Sequence, residues 1–118
     1  MNELILIKDI MISNSKYFLA VFCFYCIDFM TGFAKAIKNK NISSAKLRGS
    51  VSKALEYIAF LLVGVVAVYL FNAKYAVNLI AISICAVEFT SICENAKESG
   101  FKFPDKIINL FERGQGGE

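Results

Sequence analysis

No histidine occurs in this sequence, which removes the most frequent metal ligand and general base at neutral pH. A nucleophile elbow and a glycine-rich phosphate loop are also missing, and the serines have no histidine to serve as a base. These absences argue against an enzyme and give no reason to expect a cofactor. Charge is scarce too: Lys, Arg, Asp and Glu make up 19 % of 118 residues, where an ordinary soluble chain is about a quarter charged. Hydrophobic residues, at 57 %, take the space. A soluble domain of this size exposes too much of its surface to hide them, so lipid must cover them.

Cysteine is present but has nothing to coordinate with. Cys23, Cys26, Cys85 and Cys93 all lie in apolar runs, and without histidine the Cys23-Cys26 pair cannot complete a mixed zinc site. They read as small buried hydrophobes rather than as redox or metal groups.

A hydrocarbon core about 30 Å thick requires about 20 helical residues. Three stretches meet that need: about 17–34, broken only by Asp28; 57–73, uncharged; and 75–93, broken only by Glu88. Apolar residues near the N-terminus are interrupted by Glu3, Lys8 and Asp9, so residues 3–15 are expected to form an interfacial helix rather than a cleaved signal. Gly100 and Pro104 mark a helix stop and a new start, and 105–113 is predicted to be a short amphipathic helix with Ile107, Ile108 and Phe111 on one side. The expected fold is an all-α membrane protein with about three transmembrane helices plus N-terminal and C-terminal amphipathic helices. Residues 1–113 form a single membrane domain in this reading, and 114–118 a disordered tail.

The net charge of +3 matters less than its placement. Lys35, Lys38, Lys40, Lys46, Arg48 and Lys53 occupy the segment 35–56, and no Asp or Glu intervenes before Glu56. In a soluble protein such a cluster suits nucleic acid; between two apolar spans it marks the cytoplasmic side of a membrane and its lipid surface, with no nucleic-acid partner. The N-terminus is then outside and the C-terminus in the cytoplasm. Asn39, Asn41, Ser43 and Ser44 make a polar turn, with Ser43 or Ser44 placed to cap the next helix.

Acids inside the spans carry the information. Asp28, Gly32 and Ala36 fall at i, i+4 and i+8, giving one face that is polar at one end and small throughout. Glu88, Ser91 and Asn95 form a second polar stripe, with Glu94 near its inner end. One reading is plain packing, with Asp28 near the interface, protonated or paired with Lys35. The other is that stripes from several copies converge and hold water, since three packed helices enclose no useful channel.

Three pieces together resemble the bacteriophage lysis holins, including holin-like toxin-secretion proteins: Asp28-Phe-Met-Thr-Gly32, Ile42-Ser-Ser44 with the basic run through Gly49 to Lys53, and Ser91-Ile-Cys-Glu-Asn-Ala96 followed by Gly100 and Pro104. The resemblance implies a homo-oligomer in the bacterial cytoplasmic membrane that opens lesions at a set time, releasing an endolysin for host cell lysis or a toxin as cargo. It points to Asp28, Thr31, Gly32, Ser43, Ser44, Glu94, Asn95, Gly100 and Pro104. Many relatives carry an acid late in the second span, where this chain has Val68 to Phe71, so pore-lining surface is expected on the first and third spans. Competing readings are an inhibitory holin relative that co-assembles, a membrane anchor, or a small solute or proton transporter coupled through Glu88.

Overall fold

The computed structural model describes residues 2–101, 109–110 and 113–114. Four helices account for it: α1 (Asn2–Ser13), α2 (Ser15–Lys38), α3 (Ser44–Phe71) and α4 (Ala76–Glu98). No strand occurs among the described residues. The expected helix over 105–113 and the tail 114–118 lie largely outside the described residues, as does Pro104.

Three helices, α2, α3 and α4, are long and apolar enough to cross a membrane, and the chain is a multi-pass membrane protein. Its surface agrees: Phe22, Met30, Leu55, Val63, Leu70, Leu79 and Val87 all project outward, an arrangement stable in lipid and untenable in water. The 28 residues of α3 reach about 42 Å at about 1.5 Å each, more than a core of about 30 Å requires. Its charged first turns therefore extend past the hydrocarbon.

Helix ends follow local chemistry. A residue with positive φ closes the ends of α2, α3 and α4: Lys40 (φ 53°), Asn72 (φ 54°) and Gly100 (φ 93°). After each, a backbone N–H reaches back to an open carbonyl, from Asn41 to Ala36 at 2.8 Å, Ala73 to Ala67 at 3.3 Å and Phe101 to Ala96 at 3.0 Å. Ser43 caps α3, its hydroxyl accepting the Lys46 N–H at 3.3 Å. Between α1 and α2 the break falls at Asn14, whose side chain donates to the Ile10 carbonyl at 2.8 Å.

Helix α4 is the central element. Val77, Ala81, Ile84, Glu88 and Asn95 are its buried residues, a stripe spaced by three, four or seven positions along one face. The apolar half of that stripe joins Val21, Leu61 and Val65 in the core, with Ile7 and Ile10 of α1 against it. The polar half meets α2, which runs parallel to α4, while α3 runs antiparallel to both. At Gly64 the fit is tight: a Cβ there would lie 3.2 Å from the Val77 Cα and 3.0 Å from Ile80 Cδ1. Val77 is backbone and cannot yield, so α3 and α4 approach closely only because residue 64 has no side chain.

Two glycines of α3 should respond oppositely. Gly64→Leu is expected to cost about 1–3 kcal/mol by forcing α3 from α4. Nothing lies within 4 Å of a Cβ at Gly49, so Gly49→Ala should gain about 0.5–1 kcal/mol through helix propensity. Helical ellipticity followed during denaturation in mixed detergent micelles checks both signs.

Candidate functional site

Continuing each buried stripe toward the basic end of the molecule leads to one point. On α4 the stripe passes from Ile84 to Glu88, Ser91 and Asn95; on α2 from Val21 to Asp28; on α3, backward from Leu61 to Tyr57 and Lys53. Apolar packing of the outer halves thereby points two carboxylates and one ammonium at each other.

Lys53 Nζ lies 2.6 Å from Asp28 Oδ2 and 3.1 Å from Glu88 Oε1. The other Asp28 oxygen, Oδ1, accepts from Ser91 Oγ at 2.8 Å and Asn95 Nδ2 at 2.9 Å. Glu88 Oε1 accepts from the Tyr57 hydroxyl, and Oε2 from Lys53 at 3.2 Å. Each carboxylate oxygen thus has a donor. Asn95 Nδ2 also meets Thr31 Oγ1 at 3.2 Å, and Thr31 donates to the Asp28 carbonyl at 3.0 Å. The Tyr25 ring centroid sits 5.7 Å from Lys53 Nζ, and its hydroxyl donates to the Ser50 carbonyl at 2.7 Å.

Burial gives these contacts their weight. Asp28 is 5 % exposed, Glu88 1 % and Asn95 8 %. Intramembrane charges are stable when turned toward protein and paired, and here three helices supply the pairing. Two carboxyl groups share one ammonium, and Ser91, Asn95 and Tyr57 supply the remaining, neutral donors.

Asp28, Thr31, Gly32, Glu88, Ser91 and Asn95 come together, whereas Glu94 is exposed and stands apart. A Cβ on Gly32 would lie 3.4 Å from Asn95 Nδ2, so the small face of α2 is where the polar stripe of α4 rests. The two polar faces meet within a single chain. Asp28 pairs across the helices with Lys53, not along its own helix with Lys35; Lys35 instead bonds Glu98 at 2.9 Å, and Lys38 donates to the Ser99 carbonyl. Lys40 lies in the turn, Lys46 and Arg48 are exposed on the first turns of α3, and Ser44 begins that helix.

Lys53 differs most from its expected place in the basic surface segment, because its side chain turns inward and keeps 33 % exposure. Tyr57 and Tyr25 are absent from the candidates read from sequence. A signal for Lys53 and Tyr57 existed: positions 53, 57, 61 and 65 share one face of α3, and the last two are core. Among the described residues no His, Cys, Asp and Glu group converges as metal ligands.

The family model of the bacteriophage holin family matches this chain over residues 7–114. No curated protein and no solved structure matches it.

Lys53→Met should destabilise the fold by about 3 kcal/mol, the low end for breaking a buried ion pair because the ammonium is partly accessible. Adding Asp28→Asn and Glu88→Gln should recover most of that loss, since no charge then remains unpaired. Unfolding of the three-residue variant beside Lys53→Met in mixed micelles measures the recovery; equal losses would mean Lys53 serves only as packing.

Proposed function

The chain belongs to the bacteriophage holin family, and from that membership we propose that it oligomerises in the bacterial cytoplasmic membrane and opens lesions at a set time. The cargo class is a cell-wall hydrolase for host lysis or a toxin. No catalytic step is assigned to it.

One observation carries the proposal: the most polar faces of α2 and α4 are closed on each other within one chain and clasped by Lys53. A closed copy presents apolar surface to lipid and is harmless while copies accumulate. In an assembly the same stripes can part, and Asp28, Thr31, Glu88, Ser91 and Asn95 then face water between copies. The switch is cooperative because exposing one carboxylate to lipid costs about 2.5–3.5 kcal/mol, a cost that vanishes only when neighbours enclose water together. Helix α3, uncharged from Tyr57 to Phe71, stays on the lipid side.

Orientation follows from charge. Lys35, Lys38, Lys40, Lys46 and Arg48 cluster at one end, which we place in the cytoplasm. The N-terminus is then outside and the C-terminal segment inside.

The two-to-one ratio of acidic groups to ammonium sets signs for two variants. Asp28→Asn leaves one Glu88 carboxylate to one Lys53 ammonium, a balanced closed state, so triggering should come later. Lys53→Met leaves two carboxylates without a counter-ion, favours their escape to water, and should trigger earlier. Each is induced in a bacterium with a cytoplasmic muralytic enzyme present or absent, following membrane potential, optical density and enzyme release, with membrane insertion verified. Collapse of the potential, and lysis only with the enzyme, are expected of the parent chain. Continued growth would reject autonomous lesion formation and leave an inhibitor, an anchor or a transporter; unchanged timing in both variants would remove the cluster from the mechanism.

A further inference from the structure

A cavity of about 190 Å³ lies between α2 and the first turns of α3, beside the charged cluster. One water needs about 10–15 Å³ of such space, so a group much larger than a water fits. Three lysines line it, Lys35, Lys46 and Lys53, with Asp28; Lys35 is paired with Glu98, and Lys53 with Asp28 and Glu88. The Asp28 carboxylate is already engaged by Lys53, Ser91 and Asn95.

Lys46 is the cation left over. Its Nζ donates to the neutral Asn41 carbonyl at 3.0 Å and meets no carboxylate among the described residues. Ser43, the N-cap of α3, also lines the space, so the positive end of a 28-residue helix adds to the field of the lysines. The lip is apolar: Phe33, Ile42 and Leu47 line the cavity and are 44 %, 56 % and 46 % exposed.

We propose that this cavity binds the phosphate headgroup of an anionic phospholipid, with Lys46 as its principal contact. A free phosphate would satisfy Lys46 and leave the lip bare. A lipid satisfies both, its phosphate among the cations and its glycerol and upper acyl carbons over Phe33, Ile42 and Leu47. Depth agrees, because the cavity stands where the polar turn over 39–43 ends the apolar span and headgroups begin. The inference rests on the chain being embedded in a membrane, not on its opening lesions.

The test uses the purified full chain in detergent, with lipid retention read by native mass spectrometry. Phosphatidylglycerol should be retained over phosphatidylcholine of matched acyl chains, and excess inorganic phosphate should not displace it. Lys46→Gln should weaken phosphatidylglycerol retention about fivefold, Lys46→Arg should preserve it, and Lys40→Gln, outside the cavity, should leave it unchanged. Lys46 is exposed on α3, and unchanged helical ellipticity verifies that each variant is folded. Equal retention of the two lipids, equal losses in Lys40→Gln and Lys46→Gln, or displacement by inorganic phosphate would each overturn the assignment. Because the readout is binding, it fails or succeeds separately from any lysis assay.

Discussion

The Lys53 ammonium between Asp28 and Glu88 is the contact on which the arrangement of the three long helices depends. Each residue comes from a different helix, and the contacts lie at 2.6 Å and 3.1 Å. In water, burial of apolar side chains would hold such helices together. In lipid that force is nearly absent, because acyl chains receive leucine as well as protein does. What remains is close packing and the need to keep charge away from hydrocarbon. A single intramembrane carboxylate unpaired would push the helices toward another arrangement; two carboxylates sharing one lysine select this one.

Packing supplies the complementary constraint. The outer half of the molecule has no charge to direct it, and there Gly64 lets α3 settle onto Val77 and Ile80. Helix rotation is thereby set at one end by a missing side chain and at the other by an ion pair. Lys53, Tyr57, Leu61 and Val65 share a face of α3, so the rotation that buries Leu61 and Val65 also delivers Lys53 and Tyr57 to Glu88. The two ends reinforce each other.

That closure bears on the assembly proposed for this member of the holin family. Polar stripes on separate helices suggest self-association, yet in a single copy each stripe already has its complement. In the proposed assembly, intramolecular donors are exchanged for water and neighbours, which makes opening a near-balanced step. The cavity at the basic end adds a second set of cations, sharing Lys53 with the cluster. Events at the headgroup level and at the ion pair are therefore physically adjacent.

Much of the fold could be read directly from the residues. Three runs of about 17–19 apolar residues, interrupted at most by one acid each, are enough for three membrane helices, since hydropathy and length are local properties. Ser43 as a cap and Gly100 as a stop are equally local, resting on one hydroxyl and one positive φ. Spacing alone also puts Glu88, Ser91 and Asn95 on one face. Partnership was not legible. Asp28 has Lys35 on its own helix and Lys53 on another as candidate counter-ions, and hydropathy says nothing about how one helix is rotated against the next. Sequence by itself determined a three-span helical membrane protein with polar faces and a basic end. Tertiary structure alone decided that those faces close within one chain, because the contacts that choose Lys53 join residues far apart in sequence and exist only once Gly64 and Val77 have fixed how α3 and α4 meet.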